Sequence, residues 1–445
     1  MGIIMQAFYW DCPKSEGKEY QWWNYVSTKI PSLSRMGFTA LWLPPISKAA
    51  NTGGQSMGYD VYDYYDLGNF DQKGSLKTWF GSKDELLNLI HIAHKHNMQV
   101  YADLVLNHNS GGDEKELNPI DNNERWTKFI TKSERFQRDW KCFHPSPYET
   151  WDDATFGDMP DLCHRNPYVY TQLIEYARWL IEDIGFDGFR YDCVKGYGGW
   201  LVRAIQELRA VRNGNSFKPF GVGECWDSDR IIEDWLNETN AWSDNPASAF
   251  DFPLRYKLKD LCDSYGYSLK NLAYNGTLFK DRPFETVTFV ENHDVVRDNP
   301  IINDKMMAYA FILTHEGYPC VFWQDYYNFG LGQEDNKNGI DTLVKIHEDY
   351  AGGITSILHV DENLYVMQRN GFGNQKGLIF VLNNQRDGWN GIWVKTKWRN
   401  TQFLPGAWGG HNCNTDPQEK WTQGEGWGEF WAPPRGYAVY LPQCD

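Results

Sequence analysis

Apolar residues in this chain come in short runs, and longer stretches of helical spacing separate those runs. A run at 3–10 predicts a first strand, and apolar positions at three- and four-residue intervals over 23–36 predict a helix stopped by Gly37. Residues 39–43 read as a second strand broken by Pro44 and Pro45, followed by a loop rich in Gly, Asn and Tyr over 51–68. A helix is predicted over 82–97, with Ser82 as N-cap and Glu85 completing a capping box. Residues 99–106 form a third predicted strand, which runs into Asn107 and His108.

The alternation then stops. Residues 109–166 show no sustained period and are rich in Asp, Glu, Trp and Pro. A structureless loop of that length does not suit a compact domain, so an inserted domain is expected there. Order resumes with predicted helices over 167–184, 200–211, 229–237, 256–264, 304–315 and 341–350. Strands are predicted between them at 186–192, 220–226, 249–254, 286–291 and 319–323. Eight strand–helix units are the count for a closed (β/α)8 TIM barrel. An open doubly wound sheet is the rival, but no Gly-rich phosphate turn supports it. Past Gly352 and Gly353 the texture changes to short alternating runs at 364–368, 377–382, 391–394 and 436–441, which predict an antiparallel β domain. The expected organisation is a barrel over 1–108 and 167–353, an inserted domain over 109–166 and a C-terminal β domain over 354–445.

Composition narrows the class of partner. Aromatic residues make up 16% of the 445 positions, with 21 Trp and 26 Tyr, and many stand beside Gly, Asn or Asp rather than in apolar runs. Flat rings with a polar edge suit amphipathic ligands such as sugars, although part of the count must belong to the core. A net charge of −16 disfavours nucleic acid, and it also serves solubility. Nine cysteines, with Cys193, Cys225 and Cys320 expected in buried strands, do not imply a disulfide framework. No stretch approaches the roughly 18–20 apolar residues of a membrane span. The start shows no basic segment or cleavage site, so the expectation is a cytoplasmic protein or a secreted one in mature form, and a monomer.

The candidate chemistry centres on 185–196, G-F-D-G-F-R-Y-D-C-V-K-G. Strand alternation puts Arg190 and Asp192 on one face, where the cation favours an ionised Asp192 suited to nucleophilic attack. The same pair also fits an ordinary ion pair at a strand end. A barrel places its catalytic groups at the C-terminal ends of its strands. Those ends carry Asn107 and His108, Arg190 and Asp192, Glu224 in G-V-G-E-C-W, and His293 and Asp294 in E-N-H-D. Three carboxylates with two His and an Arg point to glycoside hydrolysis. Glu224, flanked by apolar residues, is expected to be held protonated as general acid, with Asp192 as nucleophile.

The segments D-L-V-L-N-H, G-F-R-Y-D-C-V-K, G-V-G-E-C-W, F-V-E-N-H-D and M-P-D-L resemble, in order and spacing, the five short segments of the α-amylase family of glycoside hydrolases, family 13. The resemblance extends to M-Q-A-F-Y-W, G-Y-D-V-Y-D-Y and A-P-P-R-G-Y-A-V-Y, and is strongest toward archaeal and plant α-amylases. It implies Asp192 as nucleophile, Glu224 as acid/base and Asp294 as the third carboxylate. Tyr59, His108, Arg190 and His293 would line the sugar at the scission point, and Lys195 would stand on the leaving-group side. It also implies a Ca2+ site from Asn107, Asp152 and Asp161 with backbone oxygens of Ala154 and Gly196. Gly196 stands where many relatives carry His, which spares a backbone ligand but not a side-chain contact. A Zn2+ beside the calcium is implied for some relatives, and His144, Glu149 and Cys163 stand at its positions, with Glu149 replacing a His.

The implied activity is endo-acting hydrolysis of α-1,4-glucans such as starch or glycogen, with retention. Transglycosylation or debranching on the same scaffold is the alternative within the family. A non-catalytic carbohydrate-binding protein is the alternative outside it, and predicts loss of a carboxylate that this chain retains.

Overall fold

The computed structural model describes residues 2–150, 155–212, 214–274, 276–333, 338–411 and 415–443. Eight strands close into a barrel: β1 (Ile4–Gln6), β2 (Ala40–Pro45), β3 (Gln99–Leu104), β4 (Gly188–Tyr191), β5 (Phe220–Gly223), β6 (Ser248–Phe250), β7 (Thr286–Phe289) and β8 (Tyr318–Phe322). Each strand pairs with its sequence neighbours, and β8 returns to β1. The helices that follow them in turn are α1 (Trp22–Met36), α2 (Lys83–Lys95), α3 (Pro167–Trp179), α4 (Gly199–Gln206), α5 (Asp229–Asn240), α6 (Phe252–Asp263), α7 (Lys305–Thr314) and α8 (Ile340–Tyr350). The barrel strands are buried almost throughout, which is why they read as apolar runs rather than as alternation.

The chain divides into two compact units, one of Gln6–Ser34 and Thr39–Phe250, the other of Met1–Met5, Arg35–Phe38 and Asp251–Asp445. In the first, α2 starts on the predicted capping box: Glu85 N–H donates to Ser82 Oγ, and Ser82 N–H donates to the Glu85 carboxylate. The predicted helix at 200–211 ends early, at Gln206, and Ala210–Arg212 instead pairs with Asn215–Phe217. Arg212 explains the change, because its guanidinium is tied to Asp187 and to the Phe186 carbonyl. Among the described residues, the region after β3 holds a hairpin of Glu114–Asn118 with Asn123–Lys128, a short 3-10 turn at Trp140–Cys142 and isolated bridges. Arg138 is buried there over the rings of Phe129 and Phe136, at 4.3 and 4.7 Å. Such packing around one side chain leaves no period in the sequence.

The predicted strand at 249–254 is cut short at Phe250 because Asp251, the first residue of the second unit's main stretch, caps α6. Its carboxylate accepts from Leu254 N–H, and Pro253 occupies the first turn. The last part of the chain is a six-stranded antiparallel sheet of β9 (Thr355–Val360), β10 (Leu364–Arg369), β11 (Leu378–Asn383), β13 (Gln402–Gly409), β14 (Lys420–Trp421) and β16 (Gly436–Pro442). A separate pair, β12 (Asn390–Lys395) with β15 (Trp427–Ala432), shares its core. Arg435 ties this region to the helices: its guanidinium reaches Asp304 and the carbonyls of Leu261 and Cys262. Cys320 lies in β8 as expected, whereas Cys193 and Cys225 fall just past β4 and β5. The seven described cysteines are free thiols.

His315, just past α7, gives the unit a pH dependence. It is fully buried, Nδ1 lies 2.8 Å from the Phe311 carbonyl and Nε2 3.0 Å from the Tyr365 hydroxyl. Burial brings its pKa down to about 4, Glu316 and the Phe311 carbonyl oppose this, and Arg369 adds to it. The unfolded chain takes up a proton near pH 6.5 that the folded chain refuses, so stability is retained above that pH and lost as pH falls toward 4. The loss amounts to about 3 kcal/mol for this group. Denaturation midpoints of His315→Gln between pH 7 and 4 are expected to fall less steeply than those of the parent.

Candidate active site

Arg190, on β4, is the hub. The register sets it opposite Asp103 of β3 and Val222 of β5. Alternation carries Asp192 to the same side two residues on. Arg190 is 1% exposed. Its Nη1 lies 2.7 Å from Asp103 Oδ1 and 2.6 Å from Asp192 Oδ1, and its Nη2 lies 2.7 Å from Glu224 Oε1. The rings of Trp42 and Tyr59 flank the guanidinium at 5.3 and 5.8 Å. Burial opposes its charge, but the surrounding carboxylates outweigh burial and raise its pKa further. Asp103 is raised to about 6 by burial, against the pull of Arg190 and of the Tyr59 hydroxyl.

Cys193 follows Asp192 in a left-handed conformation, φ 46° and ψ 49°. That turn aims its N–H at Glu224 Oε2, 3.1 Å away, while Glu224 N–H donates to the Tyr191 carbonyl at 2.9 Å. Glu224 is therefore met by a cation and a backbone donor.

Tyr59 donates its hydroxyl to Asp103 Oδ2 at 2.9 Å, and its ring lies parallel to that of Trp10, 6.3 Å between centroids. His108 Nε2 donates to the Tyr59 carbonyl at 3.0 Å, which places the proton on that nitrogen. Burial holds His108 below the usual imidazole range, against that carbonyl. Lys195 is half-exposed and reaches the Trp226 carbonyl and Asp227, at 2.9 and 3.0 Å. Thus Tyr59, His108, Arg190, Asp192 and Glu224 form one linked group. In the second unit, Asn292, His293 and Asp294 follow β7. Asn292 Oδ1 accepts from the N–H groups of Asp294 and Val295, and His293 Nε2 lies 3.2 Å from Asp294 Oδ2.

The candidate calcium residues fall partly within view. Asp152 and Ala154 lie outside the described residues. Asn107 and Asp161 are brought side by side by an antiparallel bridge at His108 and Asp161, with Leu162 N–H donating to the Asn107 carbonyl at 2.8 Å. A Cβ on Gly196 would fall 1.8 Å from Asn107 Oδ1, so only glycine leaves that oxygen its place. Asp161 and Gly196 also line a cavity of about 250 Å³. Buried amide, carboxylate and backbone oxygens are a donor set that fits a hard cation. Gly196→Val is expected to displace Asn107, lowering the thermal midpoint and abolishing any response of that midpoint to added calcium.

His144, Glu149 and Cys163 also meet: one ligand atom from each lies within 4.8 Å of the others. Asp161 Oδ2 holds His144 Nδ1 at 2.7 Å, which leaves Nε2 toward Glu149, 3.6 Å away. Burial lowers the His144 pKa, but Asp161 and Cys163 outweigh it and push it up to about 10.

Residues 13–342 match the family model described as "Alpha amylase, catalytic domain", and residues 378–441 match "Alpha-amylase C-terminal". The chain belongs to the α-amylase family. An alpha-amylase of Geobacillus stearothermophilus is 31% identical to it, over 99% of this chain and 87% of the relative. A probable alpha-amylase 2 of Arabidopsis thaliana is 28% identical, over 82% and 84%. Among solved structures, an alpha-amylase of Geobacillus thermoleovorans complexed with acarbose shares the fold with a TM-score of 0.70 at 19% identity, over 100% of this chain and 98% of that one. A three-domain cyclomaltodextrin glucanotransferase does so with 0.70 at 21%, over 100% and 99%.

In this glycoside hydrolase, Asp103 and Trp42 are the site residues that sequence reasoning passed over. Asp103 accepts from Trp42 Nε1 (3.1 Å) and from Tyr59 while gripping Arg190. Its signal was present: an aspartate in the otherwise apolar run V-Y-A-D-L-V-L stands where a buried strand has no use for a charge. Among the described residues, no helix is long and apolar enough to cross a membrane.

Proposed function

We propose that the chain is an endo-acting α-1,4-glucan hydrolase that cleaves starch or glycogen with retention. The observation that carries this reading is the single guanidinium of Arg190 holding both Asp192 and Glu224. Two carboxyls gripped by neighbouring nitrogens suit the close pair of a double displacement. Asp192 attacks the anomeric carbon while Glu224 gives its proton to the departing glycosidic oxygen, so a glycosyl ester forms and the chain's new end leaves. Glu224 then takes a proton from water, which attacks the same anomeric carbon, breaks its bond to the Asp192 oxygen and frees the carboxylate. Arg190 stays charged throughout and orients the attacking oxygen. Tyr59 offers its ring to the sugar. His108, His293 and Asp294 contact sugar hydroxyls, and Lys195 stands on the leaving-group side.

Calcium, typical of the family, would be held by Asn107, Asp161 and the Gly196 carbonyl, with Asp152 and Ala154 as further ligands. Bound there, it would supply fixed charge that ties the segment after β3 to the loop after β4. Chelation with EDTA is expected to lower the thermal midpoint by several degrees and added calcium to restore it. An unchanged midpoint would reject the site. A second cation at His144, Glu149 and Cys163 is favoured by their convergence and by the carboxylate behind His144. Metal analysis of protein purified without added zinc tests it, and less than stoichiometric zinc rejects it.

The activity itself is tested with soluble starch, following iodine colour and reducing ends. Rapid loss of colour with few new ends is expected. Colour change without new ends would mean glucan transfer instead, and no change in either would leave a binding protein.

A further inference from the structure

The C-terminal pair β12–β15 has one face in the core and one in solvent. Val394, Phe430 and Ala432 point inward. The register sets Gly391 opposite Trp431, Trp393 opposite Glu429 and Lys395 opposite Trp427, so these six share the outer face. Trp393 is 49% exposed and Trp427 40%. Trp431 crosses Gly391, where a Cβ would come within 2.5 Å of the indole, so the ring lies against bare backbone. Trp427, Trp393 and Trp431 thus zigzag across the pair as diagonal neighbours, about 7–8 Å apart from strand to strand. Trp431 also joins Trp389 in lining a cavity of about 320 Å³ that carries Asp416, Gln418 and Lys420 as polar partners.

A row of exposed indoles is a costly surface unless something covers it. We propose that this face is a second α-glucan-binding surface, separate in sequence and fold from the Arg190 site. Flat rings match the apolar faces of pyranose units, and polar side chains at the rim reach their hydroxyls. Charge selects the partner further. Lys395 and Glu429 cancel on this face, which suits a neutral polymer, while the chain as a whole carries −16. The choice of glucan rests on the activity proposed above. The surface would hold a polymer chain to the protein without taking part in bond cleavage.

The test is gel electrophoresis through amylopectin, run in a Glu224→Gln background so that the polymer survives. Trp393→Ala/Trp427→Ala is expected to weaken retardation about tenfold, while its mobility in a glucan-free gel and its thermal midpoint match the parent. Trp393→Phe/Trp427→Phe keeps the rings and is expected to restore most of the retardation. Retardation of the alanine variant equal to the parent overturns the proposal. So does complete loss of retardation in Tyr59→Ala alone, which would leave nothing for this face. Light scattering that shows a dimer dissolved by the alanine pair would assign the face to a second copy and also overturn it. Absence of new reducing ends from starch with intact Glu224 would refute the hydrolase reading instead, while the gels still report on this face.

Discussion

Glu224→Gln and Asp192→Asn are each expected to lower starch hydrolysis by about four orders of magnitude, equivalent to roughly 5.5 kcal/mol of barrier. Each substitution keeps the shape of the side chain and removes one chemical capacity. Glutamine cannot give a proton to the glycosidic oxygen, and asparagine cannot form the ester. Folding is expected to suffer little. Arg190 faces three carboxyl groups, and either substitution leaves the other two in place beside it. The check is initial rates of reducing-end release beside thermal midpoints. A variant that keeps a tenth of the parent rate would remove that residue from the mechanism.

Arg190→Met is expected to produce the largest loss of stability of any single change in the first unit. It takes the guanidinium away from Asp103, Asp192 and Glu224, and Asp103 is fully out of water. Removing one partner from a buried pair costs about 3–5 kcal/mol, because the other charge stays behind. The deficit should shrink as pH falls, since protonation of the stranded carboxylates removes the repulsion. The thermal midpoint of Arg190→Met should therefore lie furthest below the parent near pH 8 and approach it near pH 5. Arg190→Lys restores the charge but not the fork, and a point charge cannot grip Asp192 and Glu224 through separate nitrogens. Its midpoint is expected to recover further than its activity. Equal recovery of both would mean that Arg190 contributes charge alone.

How much of this was legible beforehand differs from element to element. The α2 helix announced itself through Ser82 and Glu85, because a capping box is a contact between residues three apart. Strand β6 was overrun in prediction, although D-F-P at 251–253 already carried an N-cap followed by a first-turn proline. The helix predicted through 211 failed for a reason no local pattern contains: Arg212 is held by Asp187, whose place beside it exists only in the folded chain. Two contacts of Glu224 were hidden on the same ground: its sequence neighbours Val222, Cys225 and Trp226 are apolar, and Arg190 and the N–H of Cys193 reach it only in the folded chain.

The sequence by itself determined the alternation of buried strands and helices, the family, and that Arg190 on β4 and Asp192 just past its end fall on one side, because period and spacing are properties of neighbours along the chain. Tertiary structure alone decided that one guanidinium serves three carboxylates, that Asp161 stands between Asn107 and His144, and that tryptophans from two strands share one face. Each of these depends on register between segments tens of residues apart, and register is set by packing across the fold.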